Sequence, residues 1–113
     1  MVWLSHPGDL QPRSAAGYYD TWIGGRPWHV MEWETGNACP RGEGWRLVIF
    51  MAPKVTNGEV VVRRLKLNDF FEYAAGQGWL RNSEYLVAID LGWEMDYGGK
   101  GNTISDYALS GVR

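Results

Sequence analysis

The chain has 113 residues, of which 45% are apolar, so it has the length of one globular domain. Its net charge of −2 at pH 7 gives no basic surface of the kind that binds nucleic acid or an anionic membrane, and we expect neither partner. A single cysteine, Cys39, excludes an internal disulfide and a cysteine metal cluster.

The first sixteen residues, 1–16, show neither the period of a helix nor that of a strand. We expect a tail or linker there, with Trp3 and Leu4 docking locally, and a single domain over 17–113. This opening also lacks the basic and apolar regions of a signal peptide, so no export signal is expected in the chain as given.

Two strands joined by a glycine turn are predicted next. Residues 17–23 favour a strand, and the side chains expected on one of its faces are Tyr18, Asp20 and Trp22. The connection at 24–27 begins with two glycines, which adopt positive φ readily, and contains a proline. A second strand is predicted at 28–34, paired with the first.

Two further strands are predicted in the middle of the chain. Residues 45–52 are apolar on both faces except for Arg46, which is typical of a central, buried strand. Residues 59–65 predict a strand near a sheet edge, because Arg63 and Arg64 interrupt its pattern.

One helix is predicted after these strands. Asn68 has the side chain of an N-cap, and Asp69 would lie at the positive end of the helix dipole. An apolar stripe at helical spacing follows, made of Phe70, Phe71, Ala74 and Ala75. Both phenylalanines are expected to anchor the helix in the core, and Gly76 or Gly78 is expected to end it.

The most strongly patterned stretch lies near the C-terminus. Apolar side chains at every second position predict a half-buried strand, and its apolar face consists of Tyr85, Val87, Ile89, Leu91 and Trp93. Glu94 would then point away from the core. Three glycines within 98–101 predict a turn, after which 103–112 is expected to return as a strand.

This stretch resembles glycoside hydrolase family 12, the small endo-β-1,4-glucanases. In that family a Gly-Phe-Glu-Ile-Trp strand is followed by Gly-Gly-x-Gly, and residues 92–101 here read Gly-Trp-Glu-Met-Asp-Tyr-Gly-Gly-Lys-Gly. Residues 19–22, Tyr-Asp-Thr-Trp, are similar to a family strand that precedes the nucleophile strand. The resemblance implies that Glu94 is the general acid/base, while Asp96 stands where the family usually has tryptophan.

The nucleophile strand of the family reads Glu-Ile-Met-Ile-Trp, and residues 29–33 here read His-Val-Met-Glu-Trp. In this alignment His29 occupies the nucleophile position, and an imidazole does not readily form the glycosyl ester of a retaining enzyme. The alternative is a local shift or a bulge that turns Glu32 into the cleft. Glu32 is therefore the candidate second carboxylate and His29 the contested nucleophile position. The next candidates for the second carboxylate, after Glu32, are Glu34 and Asp20.

The resemblance also implies a ligand, a β-glucan polysaccharide or oligosaccharide. Retaining glycosidases need two carboxyl groups about 5 to 5.5 Å apart, and flat aromatic side chains stack against sugar rings. The expected substrate-binding residues are Trp22, Met31, Trp33, Trp93 and Tyr97. No cofactor and no metal ion are expected.

The predicted fold class is all-β, a concanavalin-like jelly-roll β-sandwich with one short helix. The N-terminal strands of a full family domain are absent from this chain, so we expect an incomplete sandwich whose missing part, on a separate chain, is a candidate partner. The expected function is hydrolysis of β-1,4-glucan by a retaining two-carboxylate mechanism, at a secreted location if the chain is part of a full-length family enzyme. The alternative is a non-catalytic β-glucan-binding module or a decayed enzyme fragment.

Overall fold

The computed structural model describes residues 1–4, 17–35, 45–53, 64–81, 83–86 and 88–90, together with 108, 110 and 111. For residues 17, 18, 33–35 and 45 it describes the backbone alone. The chain divides into two units, 1–83 and 84–113. All of the regular elements described lie in the first unit: β1 (Val2–Trp3), β2 (Gly17–Ile23), β3 (Arg26–Thr35), β4 (Trp45–Met51) and α1 (Leu67–Gly76).

The strands form one mixed sheet in the order β1-β4-β3-β2. The β2–β3 and β3–β4 pairs are antiparallel, whereas β1 runs parallel to β4. A sheet with one short helix over the described residues confirms the coarse form of the predicted fold class. The prediction of a central strand at 45–52 is also confirmed, because β4 lies between β1 and β3.

Strand β1 adds an element that the sequence pattern did not predict within 1–16. Its backbone is anchored to β4, since the Phe50 N–H donates to the Met1 carbonyl at 2.9 Å and the Ala52 N–H donates to the Trp3 carbonyl at 2.8 Å. The expected docking of Trp3 and Leu4 is present as well, because both side chains pack against apolar clusters of the sheet.

The glycine turn between β2 and β3 is confirmed. Gly24 and Gly25 form a two-residue connection with φ of 58° and 74°, the backbone that a tight hairpin requires. Strand β3 nevertheless begins at Arg26, two residues before the predicted start, so Pro27 lies in the strand, opposite Trp22. In an antiparallel hairpin with a two-residue turn, the second pair of residues from the turn is not joined by backbone hydrogen bonds. Trp22 and Pro27 form that pair, so the β2–β3 pairing does not need the N–H that proline lacks.

One face of the sheet packs against α1, and we call it the helix face. Its buried cluster consists of Ile23, Trp28, Val30, Phe50 and Phe70. The Phe70 ring meets Trp28 edge-on with ring centroids 4.9 Å apart, and it meets Phe50 at 5.1 Å. Phe70 is therefore the core anchor that was predicted. Phe71 is not, because one residue turns a helical side chain by about 100°, and the Phe71 side chain is 38% exposed.

The helix begins earlier than its sequence predicted. Lys66 occupies the N-cap position and makes no capping bond with its side chain. Asn68 lies inside the first turn, where its side-chain N–H donates to the Glu72 carboxylate at 2.5 Å, so its prediction as the N-cap was wrong. Asp69 is in the first turn as expected, and the helix ends at Gly76.

The opposite face of the sheet carries Asp20, Trp22, His29 and Met31, and we call it the Trp22 face. The alternation of side chains along β2 and β3 defines it, since residues two apart in a strand point to the same side, and the register pairs Asp20 with His29. Its buried cluster is formed by Met31, Ile49 and Met51, against which Trp3 and Leu47 pack.

The strand predicted around 85–93 does not form over the residues described there. Residues 84–86 and 88–90 have no regular secondary structure, and Tyr85 is 92% exposed. Alternating side chains make a strand only where a neighbour satisfies its backbone N–H and C=O groups, and no described strand pairs with this segment. Residues 91–107 lie outside the described part of the chain.

The strand predicted at 59–65 is wrong at its last two residues, the ones that the structure describes. Residues 54–63 lie outside the described part of the chain, whereas Arg64 and Leu65 are described and belong to no strand. Arg64 has a positive φ of 58°, which a regular strand does not contain. Among the helices of the described residues, none is both long enough and apolar enough to cross a bilayer.

Candidate functional site

The β2–β3 hairpin brings an acidic and a basic side chain together on the Trp22 face. Asp20 and His29 lie directly opposite each other, and the His29 Nδ1 is hydrogen-bonded to the Asp20 Oδ1. The Asp20 side chain is 74% exposed and that of His29 is 31% exposed. The pair is therefore accessible to a ligand. His29 is thus a half-buried histidine that is hydrogen-bonded to a neighbouring side chain.

An exposed tryptophan lies next to this pair. Trp22 follows Asp20 by two residues on the same strand, so their Cα atoms are separated by about 7 Å along one face. The Trp22 side chain is 71% exposed, and Pro27 lies opposite it in β3. The hairpin thus presents a flat apolar ring beside a carboxylate and an imidazole.

Glu32 lies on the helix face, away from the Trp22 face. Its carboxylate forms an ion pair with Arg46, whose Nε lies 2.9 Å from the Glu32 Oε1. The β3–β4 register runs without interruption from His29 to Thr35, so this part of β3 contains no bulge that would turn Glu32 to the other side. Of the two alternatives, the structure adopts the one in which His29 and Met31 share a face and Glu32 does not.

The other expected site residues are described in part or lie outside the described residues. Met31 is buried in the cluster of the Trp22 face. For Trp33 and Glu34 the structure gives the backbone register alone, opposite Leu47 and Arg46. The remaining three, Trp93, Glu94 and Tyr97, fall in the range 91–107 outside the described residues.

A pair of tyrosines forms a second polar contact, on the helix face. The Tyr73 hydroxyl donates to the Tyr19 hydroxyl at 3.3 Å, which links α1 to β2. Burial raises the pKa of the Tyr19 hydroxyl well above its ordinary value, and the bond to Tyr73 adds to the shift. Tyr19 is therefore neutral at physiological pH, and its contact with α1 is structural.

Across the described residues, no three His, Cys, Asp or Glu side chains converge in a way that could hold a metal ion. Among the described residues of the β2–β3 hairpin, the polar and aromatic side chains on the Trp22 face are one carboxylate, one imidazole and one exposed indole. Such a set can hydrogen-bond hydroxyl groups and stack against a flat ring.

Comparison of the chain with family models, with curated proteins and with solved structures finds no match.

Proposed function

We propose that the Trp22 face binds β-1,4-glucan. The observation that carries this proposal is the exposed Trp22 ring beside the Asp20–His29 pair. Burying a large apolar side chain stabilises a fold by about 1.5 to 3 kcal/mol, and β2 gains only a small part of this at Trp22, which is 71% exposed. A flat ring with polar groups next to it is the surface on which sugars bind, by stacking and by hydrogen bonds to hydroxyl groups.

The wider architecture in this proposal is part of a jelly-roll sandwich of glycoside hydrolase family 12. Three features support it: the motif at 92–101, the Tyr-Asp-Thr-Trp run at 19–22, and a single short helix packed on the sheet face opposite Trp22. The proposed protein partner is a polypeptide that supplies the N-terminal strands of the family domain. If the chain is part of a full-length family enzyme, the proposal includes its secretion.

Binding is favoured over hydrolysis through Glu32 by the position of that carboxylate. A retaining nucleophile must face the sugar together with the acid/base group, about 5 to 5.5 Å from it. Glu32 is on the helix face and is paired with Arg46. It therefore does not share a surface with Trp22 and His29.

Hydrolysis is the second candidate function, and the position of Asp20 favours it. Asp20 is a carboxylate on the Trp22 face, held by His29, and aspartate serves as a glycosidase nucleophile as glutamate does. In this version Asp20 replaces Glu32 as the second carboxylate, and Glu94 keeps the role of general acid/base that the family resemblance implies.

Calorimetric titration with cello-oligosaccharides tests the binding proposal. We expect saturable binding, with xylo-oligosaccharides as the control ligand, and an affinity at least about tenfold lower for Trp22→Ala, because central aromatic side chains dominate such contacts. Tyr85→Ala is the matched control, since it removes another highly exposed aromatic ring. Absence of binding in a sample with a cooperative melting transition would refute the proposal, as would equal effects of the two substitutions.

Hydrolysis is tested by the release of reducing ends from β-1,4-glucan. If it occurs through the second candidate mechanism, both Asp20→Asn and Glu94→Gln should abolish most of it, because each removes one of the two required groups. A wild-type rate that survives Asp20→Asn would contradict the assignment of Asp20.

A further inference from the structure

A cleft on the helix face has no part in the glucan proposal. It lies beside the β2–β3 turn, where the chain enters α1, and its volume is about 280 Å³. Three basic side chains line it: Arg26 from the start of β3, and Arg64 and Lys66 from the segment that leads into the helix. Trp28 and Phe70, together with Ile23 and Leu65, form the apolar part of its wall.

The cleft carries an excess of positive charge. Asp69 is the one acidic residue among those that line it, against the three basic ones. Within the part of the chain that the structure describes, none of the three is paired with a carboxylate, in contrast to Arg46, which holds Glu32. Where cations outnumber carboxylates on a concave surface, as three to one here, the surface attracts anions, because low-dielectric walls focus the field.

The backbone adds to this potential. Helix α1 begins at the cleft, and Lys66 supplies no side-chain cap. The Asp69 N–H donates to the Lys66 carbonyl at 3.2 Å, so the first-turn donors for a ligand are the N–H groups of Leu67 and Asn68. The turn approaches the helix closely here, since a Cβ atom at Gly24 would lie 2.9 Å from the Asp69 Oδ2. The positive end of the helix dipole thus points into the same cleft as the basic side chains.

We propose that this cleft binds a phosphate group. Arginine guanidinium groups match phosphate oxygens in a two-point fork, and lysine adds a point charge. The volume of about 280 Å³ is just below the range of about 300 to 1,000 Å³ that drug-sized ligands occupy, which fits inorganic phosphate or a small phosphate monoester. This site and the Trp22 face are on opposite faces of the sheet, so either one functions without the other.

Titration of the full chain with inorganic phosphate, followed by amide and indole NMR, tests the proposal. We expect saturable shifts at the backbone amides of Gly24 and Asn68 and at the Trp28 indole, and no such shifts with sodium chloride at equal ionic strength. Each charge-assisted hydrogen bond contributes enough for its loss to lower the affinity about tenfold or more.

Arg64→Gly is the decisive variant. Arg64 has a φ of 58°, a backbone that glycine adopts without strain, so the variant should fold and yet bind phosphate at least about tenfold more weakly. Lys66→Ala should weaken binding similarly, whereas Arg81→Ala, an exposed cation away from the cleft, should leave it unchanged. Equal shifts with chloride, or an unchanged affinity in Arg64→Gly, would overturn the proposal.

A second titration, with phenyl phosphate, shows whether the bound phosphate is a free anion or part of an ester. If the ligand is an ester, the ring should contact the apolar wall at Trp28 and Phe70, and phenyl phosphate should bind more tightly than the free anion. If the ligand is free phosphate, inorganic phosphate should bind at least as tightly. Failure of both compounds to bind would overturn the proposal.

Discussion

The two neighbouring phenylalanines of α1 provide a sharp test of how the helix packs on the sheet. Phe70 is buried, at 4% exposure, and its ring meets Trp28 and Phe50 edge-on, with centroids 4.9 Å and 5.1 Å away. Phe70→Ala removes these contacts and leaves a cavity, which costs about 3 to 5 kcal/mol. Whole domains are stable by only about 5 to 15 kcal/mol, so this one substitution removes a large share.

Thermal and urea denaturation followed by circular dichroism measure this loss. At about 3 to 6 °C per kcal/mol for a chain of this length, Phe70→Ala should lower the Tm by roughly 10 to 30 °C. Phe71→Ala is the matched control, because it deletes the same atoms from the adjacent, 38% exposed position, where the loss of partial burial should cost only about 1 to 2 kcal/mol. Equal losses in the two variants would refute the assignment of Phe70 as the anchor and with it the orientation of α1.

Three further predictions follow from single contacts. Burial raises the pKa of Tyr19 above its ordinary value of 10.0, so the neutral hydroxyl stabilises the fold below about pH 10, and this contribution is lost as the pH rises further. The urea midpoint of the wild type should therefore fall between pH 9 and 11, and that of Tyr19→Phe should fall less. Gly24→Ala should lower the free energy of unfolding by about 1 to 3 kcal/mol in urea titrations, because Gly24 has a positive φ and lies near the Asp69 carboxylate. Adding Asp69→Ala to this variant should restore part of that loss. Glu32→Gln should lower stability through its ion pair with Arg46 but leave glucan affinity unchanged, whereas Asp20→Asn should lower that affinity; the reverse result would place Glu32 at the ligand.

The parts of the fold that the sequence predicted correctly are those with strong local signals. The Gly24–Gly25 turn needs positive φ, which glycine supplies, and β4 is apolar on both faces. Strand β1 was not predicted because a strand of two residues is too short to show alternating side chains. Its partner β4 also lies far away along the chain. The start of α1 was missed because Lys66 makes no side-chain cap, so no residue marks it.

The candidate site was predictable to a similar degree. In a hairpin with a two-residue turn, residues equally distant from the turn lie opposite each other, so the Asp20–His29 pair follows from the sequence alone once the turn is accepted. The face of Glu32 also follows, because it alternates with Met31. Its partner Arg46 does not follow, since the connection between β3 and β4 leaves their register open.

The positions of His29, Met31 and Glu32 in β3 limit which residues could catalyse hydrolysis. Strand geometry requires His29 and Met31 to share one face, and an uninterrupted register holds Glu32 on the other, where Arg46 neutralises it. A nucleophile on the Trp22 face must therefore come from a residue whose side chain points there, and Asp20 is the carboxylate that the described residues of β2 and β3 offer. His29 is bonded to one oxygen of Asp20, so catalysis would have to place the other oxygen against the anomeric carbon, with the acid/base group about 5 to 5.5 Å away. Stacking on Trp22 has no such requirement, so binding requires less of this face than hydrolysis does.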